Sequence, residues 1–296
     1  MVAVVIDCLN ILYRQIRLDL YMDKGNDIKK FWDDQAKLHR SSYLATMPDY
    51  FLRKLELENI QRLLVQGSYV ADIGCGNGYS TIHYAQAMDI NIYGLDYSEV
   101  MIAMAQQALL KLPEEVQKKI SFQIGDVRHT GMESEFFNTV ITDRCLINLP
   151  TPSDQSKAIH EIYRLLKDNG LYLMCEDSAQ GLQNLNVIRQ YVGLQAIETR
   201  WHNLYIDEGH INETIKGMFT VEKIINFSSF YYLASRVINA KISQEQGIEP
   251  SYDSEINRVA AMCSSLSCFG DFGPLKLFVL RKNAIKEKNF SGLKLP

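Results

Sequence analysis

Short apolar runs alternate along the chain with longer segments whose apolar residues recur every three to four positions. The short runs are typical of buried strands, and the longer spacing is typical of helices that cover a sheet. Strands that alternate with helices predict an α/β fold, in which right-handed crossovers bring the loops after parallel strands to one edge. The predicted strands are 69–73, 91–96, 120–124, 139–142, 171–175, 221–226 and 275–280.

Helical patterns also lie outside this alternation. Residues 27–64 contain two of them, and the second is predicted to begin at Pro48 with Thr46 as its N-cap. Two more patterns, 229–240 and 254–267, separate the last two predicted strands. These segments are expected to form caps on the sheet.

The loop after the first strand carries the clearest chemical signal. Its glycines Gly74, Gly76 and Gly78 alternate, which allows positive φ angles and a close approach of the backbone to a ligand. A P-loop needs a Lys after its last glycine, and a dinucleotide loop needs its third glycine three positions after the second. Neither condition is met. Asp72, inside the strand, suits a positively charged ligand better than a pyrophosphate.

The next two strands also end at acidic residues. Asp96 follows the first glycine by roughly 20 residues, the distance at which nucleotide-binding folds place the carboxylate that holds the ribose. Asp126 follows the third strand. Three successive strands that each end in an acid predict one nucleoside site at the carboxyl edge of the sheet.

Together these residues resemble motif I, D/E-x-G-x-G-x-G, and its downstream acids in the class I (Rossmann-like) S-adenosylmethionine-dependent methyltransferases of small-molecule type. The likeness covers residues 60–180 closely and the remainder loosely. It implies a mostly parallel sheet of seven strands that ends in one antiparallel strand, and S-adenosylmethionine as cofactor, with S-adenosylhomocysteine as product. The residues that it implies for cofactor binding are Asp72, Gly74, Cys75, Gly76, Gly78, Asp96, Tyr97, Asp126, Val127, Asp143 and Arg144.

The resemblance also implies which part of the cofactor some of these residues would bind. Asp126 would accept a hydrogen bond from the adenine amino group, Val127 would offer its backbone N–H, and Asp143 and Arg144 would contact the methionine end. The family often has L-K-P-G-G before its fifth strand, where this chain has Asp168 and Asn169 in place of the proline and first glycine. Asn-Gly turns equally well, so the departure changes little.

Methyl transfer from a sulfonium needs alignment of a nucleophile and exclusion of water rather than a metal. A hydroxyl acceptor also needs a base. The candidates by position are His202, Glu176 and Asp177, and Asp143 is a further one that we expect to bind cofactor instead. The expected acceptor-binding residues are Trp32, Tyr43, Trp201, Asn203 and Tyr205.

Composition limits the class of protein. The 296 residues carry 31 Lys and Arg against 35 Asp and Glu, so no general attraction to nucleic acid or to an anionic membrane is expected. Six cysteines show no C-x-x-C or zinc-ligand spacing, which predicts no metal site and fits a reducing cytoplasm. Residues 1–20 read as an amphipathic helix because charges interrupt their apolar positions. Exposed faces of this helix are candidates for pairing into a homo-oligomer.

We therefore expect one integrated domain with three parts: an N-terminal cap in 1–64, a cofactor-binding core in 65–180, and an acceptor-side insertion with the last two strands in 181–296. The expected function is transfer of a methyl group to an oxygen or nitrogen of a small molecule, such as a natural product or sugar. The alternatives are a peptide or protein side-chain N-methyltransferase, a catalytically silent binding subunit, and an NAD(P)-dependent oxidoreductase, which the glycine spacing disfavours.

Overall fold

A seven-stranded sheet forms the centre of the molecule, with strand order β3-β2-β1-β4-β5-β7-β6. The computed structural model describes residues 24–264 and 270–284. β7 is antiparallel to both of its neighbours, and the other pairs are parallel. The α/β fold with one antiparallel strand is thereby confirmed. The strands are β1 (Tyr69–Ile73), β2 (Asn91–Asp96), β3 (Ile120–Ile124), β4 (Phe137–Asp143), β5 (Leu166–Asp177), β6 (Phe219–Ile225) and β7 (Leu275–Lys282).

Helices cover both faces of the sheet and its carboxyl edge. They are α1 (24–39), α2 (Tyr50–Gln61), α3 (Tyr79–Ala87), α4 (Glu99–Leu109), α5 (Glu114–Gln117), α6 (Pro152–Leu165), α7 (Ala179–Tyr191), α8 (Glu208–Ile215), α9 (Ser229–Tyr232), α10 (Asn239–Gln246) and α11 (Glu255–Ser264). Short 3₁₀ turns occupy Tyr43–Ala45 and Leu146–Asn148, and a π-helical segment, Leu233–Ile238, joins α9 to α10.

Side chains of alternate residues in a strand pack on opposite faces of the sheet. On β1, Val70 packs in one hydrophobic cluster, whereas Ala71 and Ile73 pack in the cluster on the opposite face. On β5, Leu173 and Met174 divide in the same way. Because both faces are buried, these strands read as continuous apolar runs.

Several boundaries differ from the sequence prediction. The N-cap of α2 is Asp49, whose Oδ1 accepts a hydrogen bond from Leu52 N at 3.1 Å, and the prediction of Thr46 as the cap is wrong. The Thr46 hydroxyl instead accepts a hydrogen bond from Arg53 at 2.7 Å. The helix predicted for 1–20 lies outside the described residues, as does the end of the one predicted for 254–267.

The segment that contains α1 and α2 is anchored over the carboxyl edge of the sheet. Asn77 in the glycine loop donates hydrogen bonds to the carbonyls of Arg40 at 2.6 Å and Ser42 at 2.8 Å. Trp32 Nε1 donates to Asn148 Oδ1 at 3.1 Å. Since these bonds join the cap to the loops after β1 and β4, the cap roofs the edge where the acidic residues lie. Of the described helices, none is long and apolar enough to cross a membrane.

Candidate functional site

All three glycines of the loop have positive φ: 79° at Gly74, 53° at Gly76 and 75° at Gly78. A Cβ on Gly74 would lie 2.6 Å from the sulfur of Cys145, and one on Gly78 would lie 2.7 Å from the ring of Phe122. The first two glycines shape the loop around the site. Gly78 is the N-cap of α3 and lets that helix pack against β3.

Two buried carboxylates hold the loop in place. Asp72 accepts a hydrogen bond from the Thr81 hydroxyl at 2.5 Å, and Asp96 accepts from Gly76 N and Ser98 N, both at 2.9 Å. Burial raises the pKa of Asp72 to about 7 and that of Asp96 to about 6, in spite of these hydrogen bonds. A cationic or hydroxyl-bearing ligand would stabilise the ionised form of both.

Two cavities open on this edge. The α1 cavity, of about 200 Å³, lies under the first turn of α1. The central cavity, of about 250 Å³, lies between the glycine loop, the cap and the segment after α7. The residues that line both are Gly74, Asp96, Tyr97, Cys145 and Asn148. Asp96 therefore stands where a ligand would pass from one cavity into the other.

Asp126 and Val127 line the α1 cavity with apolar neighbours such as Ile28 and Leu95. The Asp126 carboxylate accepts hydrogen bonds from Arg128 N at 2.8 Å and Arg128 Nε at 3.0 Å. Burial acts against ionisation, but these bonds outweigh it and the pKa of Asp126 lies below its usual value. The carboxylate is thus held ionised by Arg128, whose Nη2 also donates to Asp126 Oδ2 at 2.5 Å. Its predicted contact with adenine remains a prediction.

The central cavity brings together most of the other predicted residues. Those of the cofactor set that line it are Asp72, Gly74, Cys75, Gly76, Asp96, Tyr97, Asp143 and Arg144. Those of the acceptor and catalytic sets are Trp32, Asp177, His202, Asn203 and Tyr205.

A buried ion cluster, made of Arg53, Glu56, Asp143 and Arg144, joins α2 to the end of β4. Arg53 Nη1 lies 2.8 Å from Asp143 Oδ2 and 3.0 Å from Glu56 Oε2, and Arg144 Nε lies 2.9 Å from Glu56 Oε1. Two cations and two anions balance in charge. This cluster fixes the cap over the loop that was expected to bind the methionine end.

Unlike Glu56 and Asp143, Asp177 forms no ion pair with the residues that the structure describes, and among those residues its buried Oδ1 has no hydrogen-bond partner. The residue is 5% exposed and lines the central cavity at the end of β5. Burial raises the pKa of Asp177 to about 6, although Arg144 and Arg200 act in the opposite direction. It is therefore a carboxylate able to take a proton near neutral pH.

His202 lies inside an aromatic cluster and is 4% exposed. Its ring stacks on Phe31, with centroids 4.3 Å apart, and meets the rings of Trp32 and Trp201 edge-on. Burial, helped by Arg200, lowers the pKa of His202 to about 4, so the ring is neutral at pH 7. Its buried Nδ1 has no hydrogen-bond partner.

Four predicted residues lie away from the cavity linings. Glu176 accepts hydrogen bonds from Cys145 N at 3.1 Å and Leu146 N at 3.0 Å, so it orients the turn after β4 from behind. Trp201 is 57% exposed and packs against the cluster from outside. Tyr43 packs on Tyr79, and Gly78 serves helix packing as described above. The catalytic role predicted for Glu176 has no support from its position.

The sequence analysis missed Arg53, Glu56, Asn77 and Arg236. Arg53 and Glu56 stand among the apolar residues of α2, and both are buried. Charged residues on an apolar helix face are a signal that points to paired burial. Asn77 and Arg236 had no such signal, because their partners are distant in sequence.

The residues fit S-adenosylmethionine by the chemistry of their groups. The α1 cavity offers an apolar slot with a carboxylate at its edge, and Asp96 offers carboxylate oxygens at the junction of the two cavities. In the central cavity, the backbone of the glycine loop, Asp72 and Asp143 line the space that the sulfonium and the amino acid part of the cofactor would occupy. A nucleoside in one cavity would be continuous with an amino acid chain in the other.

Comparisons with known proteins agree with this geometry. Residues 70–170 match the family described as a methyltransferase domain. A demethylmenaquinone methyltransferase of Lactobacillus johnsonii is 29% identical over 130 residues, which are 43% of this chain and 48% of that relative. The alignments span about half to two thirds of the curated relatives' own lengths.

Solved structures share the fold. Phosphoethanolamine N-methyltransferase 1 of Haemonchus contortus, solved with phosphoethanolamine and S-adenosylhomocysteine, has a TM-score of 0.60 at 15% identity, over 90% of this chain and 51% of that one. Geranyl diphosphate C-methyltransferase of Streptomyces coelicolor has a TM-score of 0.54 at 10% identity, over 88% and 98%. Residues 70–170 of this chain thus match a methyltransferase domain, and the chain shares its fold with solved methyltransferases.

Proposed function

We propose that this protein methylates an oxygen or nitrogen of a small molecule bound in the central cavity, with Asp177 as the base that takes the acceptor's proton. The observation that carries the proposal is the buried Asp177 Oδ1, which has no hydrogen-bond partner within residues 24–264 and 270–284 and belongs to a residue that lines the cavity. An unpaired buried carboxylate costs stability unless a ligand supplies the missing donor.

Bound S-adenosylmethionine supplies a methyl group that a sulfonium has already activated. The glycine loop, Asp96 and the ion cluster would hold the donor, and the cap would keep water away from it. Asp177 would orient the acceptor O–H or N–H and receive its proton as the bond from the acceptor to the methyl carbon forms and the sulfur–methyl bond breaks, which would leave S-adenosylhomocysteine. Such placement and proton transfer are the two tasks that in-line methyl transfer leaves to the protein.

A small acceptor is favoured over a peptide by the shape of the site. The central cavity measures about 250 Å³, and α1, α2 and the 197–205 segment close over it. The demethylmenaquinone methyltransferase among the relatives is named for a small-molecule acceptor.

The test uses Asp177→Asn in an assay of S-adenosylhomocysteine release over a panel of hydroxyl and amine acceptors. We expect kcat to fall about hundredfold or more, since general bases contribute factors of that order. Binding of S-adenosylhomocysteine, measured by calorimetry, should stay unchanged. Wild-type kcat/KM should rise as pH increases through about 6, because Asp177 acts only when it is ionised.

Asp168→Asn is the matched control, because Asp168 lies exposed on the same strand. Full activity of Asp177→Asn, or a pH profile without a limb near 6, would remove Asp177 from the mechanism. Thermal stabilisation by NAD but not by S-adenosylhomocysteine would refute the methyltransferase proposal as a whole. At 100 times its dissociation constant, a ligand stabilises the fold by about 2.7 kcal/mol.

A further inference from the structure

Arg236 lies in the π-helical segment Leu233–Ile238 between α9 and α10. Such π-helical turns are rare and occur frequently at functional sites. Here the turn brings the Arg236 guanidinium to the wall of the central cavity, where the side chain is 18% exposed. Arg236 is not among the site residues that were predicted from the sequence.

The guanidinium of Arg236 keeps most of its donors free. Its Nη2 donates to Asp49 Oδ2 at 2.5 Å, and a second side-chain hydrogen bond joins the guanidinium to Tyr231. The rings of Tyr252 and Tyr232 lie 4.7 Å and 5.3 Å from the guanidinium carbon and hold its plane. A guanidinium has five N–H donors, so several remain available to a ligand.

Asp49, in turn, accepts hydrogen bonds from three donors. It caps α2 through Leu52 N at 3.1 Å, and it accepts the Tyr231 hydroxyl at 2.7 Å in addition to Arg236. It is 1% exposed. Asp49 therefore fixes one edge of the guanidinium, and no second carboxylate of the described residues lies within ion-pair distance of Arg236.

A second cation, Arg200, lines the rim of the same cavity. Its side chain is exposed and makes no hydrogen bond or ion pair with the part of the chain that the structure describes. Glu198 also lines the rim and is exposed. Arg53 and Arg144, by contrast, are paired within the ion cluster and are not available to an acceptor.

Asp177 and Arg236 both line the central cavity, as do the two tyrosines Tyr205 and Tyr232. Asp177 raises, and Arg236 lowers, the pKa values of both tyrosines, whose dominant shift comes from burial. The wall of the cavity thus contains a carboxylate, a guanidinium and aromatic rings.

We propose that the acceptor is a small anion, whose carboxylate or phosphate group binds Arg236 with help from Arg200 while its nucleophile faces Asp177. This inference rests on the proposed function, since it names the acceptor class of the same cavity. Guanidinium is the side chain best suited to planar, two-point contact with such oxygens. Repulsion by Asp177 would favour binding of the anionic group beside Arg236.

The experiment measures binding of four probes to wild-type protein saturated with S-adenosylhomocysteine: benzoate, phenyl phosphate, benzyl alcohol and benzylamine. We expect at least one of the two anions to bind at least tenfold more tightly than both the alcohol and the amine. Whichever anion binds better identifies carboxylate or phosphate as the preferred group. Equal binding of all four probes, or tighter binding of the amine, would overturn the inference.

The variant Arg236→Gln should lose that preference for anions by at least tenfold while its affinity for S-adenosylhomocysteine is unchanged. Arg258→Gln, which removes an exposed guanidinium from α11, is the control that should retain it. If Arg236→Gln does not fold, Arg200→Gln serves in its place, with a smaller loss expected at the rim. A preserved anion preference in a folded Arg236→Gln would contradict the assignment.

Failure of the inference is distinct from failure of the proposed function. S-adenosylhomocysteine binding is measured first and by itself. Absence of that binding would contradict the methyltransferase proposal, whereas normal cofactor binding with no preference for anions would contradict the acceptor class alone.

Discussion

The cofactor end of the site and the contacts of the cap are built by different means. At the cofactor end, Asp72 and Thr81 are 9 residues apart, and Asp96 and Gly76 are 20 apart. At the cap contacts, Arg53 binds Asp143 across 90 residues, and Trp32 binds Asn148 across 116. The first region is made by neighbouring strands and their loops, and the second by side chains that meet only in the folded chain.

This difference has an energetic counterpart. Backbone amides and glycine angles shape the cofactor end, so its geometry follows from local chain conformation. The cap contacts depend on buried ion pairs, which are costly to break because an unpaired charge then stays buried. We expect substitutions at the cap contacts to affect stability and those at the cofactor end to affect ligand affinity.

The largest effect is expected for Glu56→Ala, which leaves Arg53 and Arg144 with Asp143 alone. Loss of one partner from a buried ion cluster should lower the free energy of unfolding by about 3 kcal/mol or more. Denaturant titration measures it. Glu58→Ala on the same helix removes only surface pairs, at 3.8 Å and 3.9 Å, and should cost less than about 1 kcal/mol. Equal losses for both variants would show that the cluster does not hold the cap.

A smaller effect, on affinity, is expected for Asp96→Ala. Removal of a buried charged acceptor costs about 2 to 3 kcal/mol, so affinity for S-adenosylhomocysteine should fall roughly 30- to 150-fold by calorimetry. The exposed Glu99→Ala, three residues away, is the control and should bind normally. Normal binding by Asp96→Ala as well would refute the assignment of Asp96 to the ribose.

The smallest effect is expected for His202→Phe, which keeps an aromatic ring between Phe31 and Trp32. The pKa of about 4 makes His202 a weak base, so we expect kcat to change less than tenfold. A loss of a hundredfold or more would restore His202 as the base in place of Asp177. His202→Ala, measured beside it, reports what the ring contributes by packing.

Much of the cofactor end could be predicted because its signals are local. The alternating glycines and the acids at the ends of β1, β2 and β3 are adjacent in sequence to the elements that position them. Parallel topology then brings those strand ends to one edge. Gly78 is the exception, since its contact with Phe122 depends on how α3 packs against β3.

The acceptor end was predicted less well because its residues have no periodic signal. Trp201 and His202 are consecutive in sequence, yet the first is 57% exposed and the second is 4% exposed. Glu176 and Asp177 are also consecutive, and the pleat of β5 points the first toward backbone amides and the second toward the cavity. Position alone could not separate the members of either pair.

The sequence by itself determined the α/β fold, the order of its elements and the place of the cofactor loop, because hydrophobic period and glycine spacing act over short distances. Only the tertiary structure decided which carboxylate lies free in the cavity and which arginines are neutralised. Those outcomes depend on contacts between segments up to 187 residues apart, such as Asp49 and Arg236. A charged side chain is available to a ligand only as far as its distant partners leave donors or lone pairs free.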